Sequence, residues 1–392
     1  MMREWGTGLQ GRWRSIRRYF RNGIYSMPSW LRREKIALIS RMDGLGDVLL
    51  WLSAAKAITD HFHRKGWKVL LICRDYTASL MESTGFFDRV IGINGEQMQN
   101  RRYRKRLFRG LARNRYQIAL NPRFSREICL DDSIIQAVWA RSKVGVNLAD
   151  GGLMSVEEKQ LSERWYTRLH RPDRIVMELA NNAWMAAQVT GIPQIPAIFP
   201  LPIRKPAPSP FRGGDYFVVV PFTADARRNW PWERFLSIIR LVQGKHRIAC
   251  VLLGTDAMDS LVIGADTSLG KGESRSIYNV LGKTTFQEYL DYISNARFVL
   301  CNDSSPYHLA VALQVRAFVV ASENTATRFL DYQSCVLLRE HALTVFRADM
   351  DCRDCLGHCI HPLSDEGNWQ CVDRISVEEV WNGIDNVLSY GG

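Results

Sequence analysis

Three groups of residues have types and spacings suited to chemistry. The first is Met42-Asp43-Gly44-Leu45-Gly46-Asp47, which follows the apolar run Lys35–Arg41 and opens a helical pattern. Gly44 and Gly46 permit a tight turn and close approach of the backbone to a bound group. A dinucleotide fingerprint would place its third glycine at position 49, where Leu49 stands, so nicotinamide chemistry loses its main support. Asp47, at a helix start, serves either as a cap for free N–H groups or as a general base. The second group lies on two loops that each follow an apolar run. Pro221–Pro231 carries Thr223, Arg227 and Arg228, and Asn302–Ala310 carries Asp303, Ser304, Ser305, Pro306 and His308. Guanidinium forks, hydroxyls and the free N–H groups of a helix start converge there on one anion site, and a diphosphate suits a bidentate arginine. Each piece alone has a plainer reading: a surface arginine, a capped helix, a histidine satisfied in the core. The third group is Cys352, Cys355, Cys359 and Cys371, with His358 and His361 nearby. Four thiolates there would hold a structural Zn or Fe; reduced structural thiols are the alternative.

The elements that must position these groups read as two α/β halves. In the first, Lys35–Arg41, Trp67–Arg74, Arg89–Ile93, Gln117–Asn121 and Lys143–Val146 read as buried strands, with Asp47–Phe62 as the clearest helix. In the second, strands are expected at Tyr216–Pro221, Arg247–Leu253, Ile277–Leu281, Phe298–Cys301, Ala317–Val320 and Val336–Leu338. Helices at Trp232–Val242, Thr285–Asn295 and Pro306–Leu313 alternate with them. Near-continuous apolar strands alternating with helices argue for parallel sheets. Pro193 to Pro210 holds seven of the fourteen prolines, which marks an extended connection between the halves. The expected division is a basic arm over 1–34, a first Rossmann-like domain over 35–192 and a Pro-rich linker over 193–210. A second domain follows over 211–374, carrying the cysteine cluster 352–371, and then a C-terminal helix over 375–392. Two such doubly wound domains would take ligands in a cleft at the carboxyl ends of their strands.

Composition sets further bounds. The 392 residues are 46% hydrophobic and 23% charged, which fits a folded, multidomain globular chain rather than a disordered one. No run of about eighteen apolar residues occurs, so no spanning helix is expected. The start of the chain lacks an apolar stretch followed by a small-residue cleavage site, so a cytosolic location is expected, and nine cysteines, five scattered and four bunched, do not read as a disulfide framework in a reducing compartment. The net charge of +12 is concentrated. Residues 1–36 hold nine Lys/Arg against Glu4 and Glu34, and residues 101–115 hold eight with no acid. In the first stretch Trp13, Ile16, Phe20 and Ile24 fall near helical spacing among arginines, as in a helix lying on an anionic membrane; a disordered arm or an oligomer contact are the alternatives. The second stretch, with Arg101, Arg102 and Lys105, suits an anionic lipid or a phosphorylated oligosaccharide, or else forms a solvated helix face. No nucleic-acid-binding module is recognisable, so nucleic acid is not an expected partner.

The motifs Ile39-Ser40-Arg41-Met42-Asp43-Gly44-Leu45-Gly46-Asp47-Val48, Trp230-Pro231-Trp232-Glu233-Arg234-Phe235, Leu281-Gly282-Lys283-Thr284-Thr285-Phe286 and Cys301–Ala310 resemble those of glycosyltransferase family 9, the ADP-heptose:lipopolysaccharide heptosyltransferases. The likeness runs from about Lys35 to the C-terminus. It implies a GT-B fold of two Rossmann-like domains facing across a cleft, the first taking the acceptor and the second the nucleotide sugar. It also implies an inverting transfer that needs no metal. By position, Asp47 matches the family's proposed catalytic base, with Gly44 and Gly46 on the acceptor side. Arg228 matches a lysine that contacts the donor diphosphate. Thr223, Asp303, Ser304, Ser305 and His308 match donor-binding positions, and Thr284 lines the nucleobase pocket. Asp256 or Asp259 matches an acid that holds the ribose hydroxyls. Ser305 stands in place of a usual glycine, Arg228 in place of lysine and Ser53 in place of proline.

The resemblance thus implies transfer of a heptose from ADP-heptose to a lipopolysaccharide or other envelope glycan acceptor that is lipid-linked or phosphorylated. The enzyme would sit peripherally on the cytoplasmic face of the inner membrane. The same fold acting on another nucleotide sugar, and a non-catalytic membrane-associated binding protein, are the rival readings.

Overall fold

The structure, a computed structural model, describes residues 34–147, 154–174, 176–193, 195, 209–211, 214–254, 277–332 and 343–390. The basic arm before residue 34, most of the Pro-rich linker, Asp256, Asp259 and the expected strand Val336–Leu338 lie outside the described residues. The chain forms two compact units, Met1–Ile175 with Asn181–Pro196, and Val176–Ala180 with Ala197–Gly392.

The first unit is built on a six-stranded sheet of β1 (Ile36–Arg41), β2 (Lys68–Arg74), β3 (Arg89–Ile93), β4 (Arg115–Asn121), β5 (Trp139–Val146) and β6 (Arg168–His170) in the order β3-β2-β1-β4-β5-β6. The second is built on β7 (Tyr216–Val220), β8 (Ala249–Leu252), β9 (Ile277–Asn279), β10 (Val299–Asn302), β11 (Ala317–Val320) and β12 (Leu343–Phe346) in the order β12-β11-β10-β7-β8-β9. Every pair in both sheets is parallel. Counted within each unit, both orders are 3-2-1-4-5-6, the doubly wound Rossmann arrangement. The central strands are apolar almost throughout because helices cover both their faces: all five residues of β7 and all four of β10 are buried.

Helices α1 (Leu45–Arg64), α2 (Asp75–Ser83), α3 (Arg101–Leu111), α4 (Ser133–Ala137), α5 (Val156–Glu163) and most of α6 (Glu178–Thr190) belong to the first unit. The second unit holds α7 (Trp232–His246), α8 (Phe286–Ser294), α9 (Ser305–Ala312), α10 (Ala326–Phe329), α11 (Gln370–Asp373) and α12 (Val377–Tyr390). α1 buries Val48, Leu52, Ala55, Thr59 and Phe62, one stripe at three-to-four-residue spacing, and carries His61, His63 and Arg64 in its last turn against the negative end of the dipole. In the second unit Phe217 of β7 stacks on Phe298 at 4.8 Å, and Phe298 meets Phe318 of β11 edge-on at 5.3 Å. Aromatic pairs of this kind add about 0.5–1.5 kcal/mol beyond area burial. The same core takes in Trp369, Cys371 and Val372 from the cysteine-rich segment, and Val380 and Ile384 from α12.

Candidate functional site

In a doubly wound sheet, ligands bind outside the carboxyl ends of the strands where the strand order reverses. That point lies between β1 and β4 in the first unit and between β7 and β10 in the second.

At the first switch point a buried ionic network fills the strand ends. Arg41, the last residue of β1, is 1% exposed. Its Nε pairs with Asp43 at 2.5 Å, its Nη1 donates to the Pro122 carbonyl at 3.3 Å and to Asn182 Oδ1 at 3.2 Å, and its Nη2 donates to the Asp47 carbonyl at 3.2 Å. Asp43 also pairs with Arg123, just past β4, which reaches Asp131 at 2.6 Å and Glu127 at 3.1 Å. Burial opposes a charge on Arg123, but the carboxylates of Asp131, Asp43 and Glu127 outweigh it and hold the guanidinium firmly protonated. Beside it Arg126 pairs with Asp132 at 2.9 Å, and Asp132 accepts from Asn121 at 3.0 Å and from the hydroxyls of Ser162 and Tyr166. The backbone of the first turn is thereby fixed from beneath. Asp47 sits half-buried in that turn, three residues past the N-cap Gly44, and Gly44 has no side chain that could cap the helix. A Cβ at Gly44 would lie 3.8 Å from Asp47 Oδ2, and Gly46 directly precedes Asp47 in the same turn.

Arg101 and Arg102 are exposed on α3 and Lys105 is half-buried, while Arg104 between them is buried and donates to the Met98 carbonyl at 2.7 Å. The cations gathered at the switch point itself are Arg41, Arg123 and Arg126. Sequence reading missed all three. The signal was present in Asn121-Pro122-Arg123-Phe124-Ser125-Arg126, a dense set of polar groups directly after an apolar strand.

At the second switch point the two expected loops meet. Arg228 Nη2 donates to the Asp303 carbonyl and lies 3.2 Å from its carboxylate, and Asp303 is buried. Ser322, at the end of β11, donates to Asp303 at 3.0 Å. Asp303 is thus held by one cation and one hydroxyl, and it orients the guanidinium. Arg228 Nε makes no hydrogen bond among the described residues. Asn302 joins the loops: its amide donates to the Pro221 carbonyl at 2.6 Å and its oxygen accepts from the Trp230 N–H at 2.9 Å. The Thr223 N–H donates to Asn229 Oδ1 at 2.8 Å, and the Thr223 hydroxyl to the Asp225 carbonyl at 2.8 Å, which closes the loop around Arg228. α9 begins at Ser305 with Pro306 in its first turn, and the N-cap Ser304 makes no side-chain cap bond, so its first N–H groups and dipole face the same strand ends.

His308 is buried within α9, its Nδ1 2.5 Å from the Tyr332 hydroxyl. Burial, aided by Arg228, pushes its pKa down to about 3, so the ring is neutral. Thr284 is half-buried between β9 and α8, and Gly254, after β8, has φ 157°, a conformation that favours glycine. Thr223, Arg228, Asp303, Ser304 and Ser305 are therefore brought together; Thr284 stands beyond them toward the β9 edge of the sheet.

All four cysteines of the cluster are reduced, with Cys352 and Cys371 buried and Cys355 and Cys359 half-buried. Burial, together with the neighbouring thiols of Cys359 and Cys355, pushes Cys352 up to about 11. Among the described residues, the donor atoms within 4.8 Å of one another belong to Asp351, Cys352 and His361, so only one of the four cysteines is in that group. His361 Nε2 lies 2.7 Å from Asp351.

No curated protein matches the chain in sequence. Of the chain's length, 90% superposes on 99% of the Escherichia coli heptosyltransferase WaaC bound to ADP-2-deoxy-2-fluoro heptose, with TM-score 0.61 at 16% identity. For E. coli ADP-heptose LPS heptosyltransferase II the figures are 91%, 99%, 0.61 and 14%. For TibC of enterotoxigenic E. coli, a dodecameric iron-containing heptosyltransferase solved with ADP-D-β-D-heptose, they are 92%, 77%, 0.54 and 12%. At such identities the likeness speaks for the fold, which is GT-B. Residues 104–329 match the sequence pattern of glycosyltransferase family 9 (heptosyltransferase). More than half of the chain, including the β4 end and the whole second switch point, carries that pattern, and the protein is a glycosyltransferase belonging to family 9.

Proposed function

We propose that the protein transfers a heptose from ADP-heptose to an anionic envelope saccharide, such as a lipopolysaccharide core, with inversion at the anomeric carbon. The observation that carries the reading is the Arg228–Asp303 pair beside the start of α9, a preorganised cation and helix dipole at a switch point. The nucleotide sugar solved with WaaC, an ADP-heptose analogue, supports this donor class.

The donor diphosphate lies against Arg228 and the first N–H groups of α9. Asp47 takes the proton of the acceptor hydroxyl as its oxygen bonds to the anomeric carbon. The bond from that carbon to the phosphate oxygen breaks with its electron pair, and ADP leaves. Arg228 and the α9 dipole meet the charge that grows on the diphosphate, where preorganised donors contribute most. Asp303 acts through Arg228, by holding the fork in place. The acceptor's phosphates find cations on α3, at Arg101, Arg102 and Lys105. The arginine-rich arm before residue 34 docks the enzyme on the anionic cytoplasmic face of the inner membrane. In the cysteine-rich segment a structural Zn or Fe fits the donor set: Cys352 with Asp351 and His361, and further thiols of Cys355, Cys359 and Cys371 close by. Such an ion would have a structural role, apart from the transfer.

Thermal-shift titration with ADP, UDP and GDP tests the donor class, and mass spectrometry of the reaction with ADP-heptose tests the transfer. Stabilisation by ADP and a product heavier by one heptose are expected. Stabilisation by UDP or GDP alone would move the reading to another nucleotide sugar, and no response to any nucleotide would move it to a non-catalytic protein.

A further inference from the structure

The cysteine-rich segment does more than fill space behind the second sheet. One end bonds the loop after β11, which carries Ser322, and the other bonds the loop after β7, which carries Arg228. At one end, the N–H groups of Asp354 and Leu356 donate to the carbonyls of Glu323 and Asn324, each at 2.8 Å. The Asp354 carboxylate accepts from the Thr327 N–H at 2.9 Å and hydroxyl at 2.6 Å, which caps α10. This loop begins at Ser322, whose hydroxyl donates to Asp303 and lies 2.8 Å from Asn324 Oδ1. Asp354 and Leu356 hold left-handed backbone at φ 55° and 53°. That conformation is unfavourable for a non-glycine residue, so the surrounding contacts must impose it.

At the other end, the Asn368 amide donates to the carbonyls of Asn229 at 2.7 Å and Ala226 at 3.2 Å, and Asn368 is 8% exposed. The next N–H, that of Trp369, donates to the Arg227 carbonyl at 2.8 Å, and the Arg227 guanidinium lies over the Trp369 ring at 5.0 Å. Residues 226, 227 and 229 are thus all held through their carbonyls, and Arg228 stands between them. The Asn368 backbone is fixed in turn by exchange with Ser364, at 3.1 Å and 2.8 Å. This end of the segment bonds to the backbone of the loop after β7. Its action runs through the backbone that aims Arg228.

We infer that Asn368 is a positioning residue for donor binding: its amide fixes the 226–229 backbone so that Arg228 meets the diphosphate, and the cysteine-rich segment thereby sets the donor site. The inference rests on the reading of Arg228 as the diphosphate ligand. A buried amide facing two carbonyls cannot be replaced by a carboxylate without loss of both bonds, so Asn368→Asp is the sharp variant. Asn368→Ser removes the bonds without adding charge, and covers the case in which the aspartate prevents folding. ADP affinity is measured by calorimetry on the full chain for wild type, each variant, Arg228→Ala and the double variants, with melting temperatures alongside. The expected result is a Kd for ADP raised about tenfold or more by the Asn368 variants in the wild-type background and almost unmoved by them in Arg228→Ala, because the effect passes through that side chain. At saturating donor, kcat should change less than KM. An equal loss in both backgrounds would be general loosening and would overturn the inference. So would unchanged ADP affinity in both Asn368 variants while Arg228→Ala weakens binding. If Arg228→Ala itself leaves ADP binding intact, the donor reading falls and the inference with it.

Discussion

The guanidinium of Arg41 donates to the main-chain carbonyl of Asp47 at 3.2 Å, from a position where the arginine is 1% exposed. The proposed base is therefore fixed through its backbone by a charge that is itself locked by Asp43, Asn182 and the end of β4. A carboxylate held this way needs little reorganisation at the moment of transfer.

Asp47→Asn keeps the shape of the first turn and removes the proton acceptor. We expect kcat to fall by about 10²–10⁴-fold, the usual size of a general-base effect, with ADP affinity nearly unchanged. Single-turnover kinetics with calorimetry on the same preparation checks both. Wild-type turnover by this variant would leave Asp47 with a structural role only.

His308 gives the second unit a specific acid sensitivity. Its folded pKa, about 3, lies below the ordinary 6.5, so the unfolded chain takes up a proton that the folded one refuses. Stability from this group is complete above about pH 6.5 and is lost as the pH falls toward 3, at up to about 1.4 kcal/mol per pH unit. His308→Gln should flatten the pH dependence of melting in that window while lowering stability at pH 7 through the lost Tyr332 contact. Melting curves from pH 7 to 4 for both proteins decide it; parallel slopes would mean that another group titrates.

Asp132 anchors the first switch point with no exposure to water. Removing its charge in Asp132→Ala strands Arg126 in the interior, and the expected cost is about 3–5 kcal/mol. Denaturant unfolding should show the loss in the transition of the first unit and leave that of the second in place. A change under 1 kcal/mol would mean that water or another carboxylate replaces it.

Deletion of residues 1–30 should leave both sheets folded, since β1 begins at Ile36. The arm contains Arg3, Arg12, Arg14, Arg17, Arg18 and Arg21 against Glu4, each worth about 1 kcal/mol near an anionic bilayer. The full chain should sediment with anionic vesicles at low salt and release at high salt, and the truncated protein should not sediment. Full-length protein that ignores such vesicles would remove the membrane proposal.

Much of this was legible from apolar runs. β1, β2, β3 and β11 fall within a residue of their expected bounds, because buried parallel strands leave continuous apolar stretches. β6, with the sequence Arg-Leu-His, is too short and polar to stand out, and β12 at Leu343–Phe346 also escaped sequence reading. Asp47, Arg228 and Asp303 were readable because each lies in the loop or first helical turn that comes after a strand. The Arg41–Asp43–Arg123 network was not, because its pairing depends on β1 and β4 being neighbours, a matter of strand order. Asn368 was invisible for the same reason: its carbonyl partners lie 139 and 142 residues away.

In each unit the strands on either side of the switch point join segments that are far apart in the chain. Arg41 reaches Pro122 and Asn302 reaches Pro221, both across 81 residues. Closing such a span costs chain entropy before any contact rewards it, so these central pairings form late and slowly. A nascent or half-folded second unit has the β7 loop without its β10 partner, and Arg228 then has no Asp303 to aim it. Nucleotide binding thus reports completed folding of that unit, and an ADP pulse during refolding should be silent until the last phase and then appear in one step.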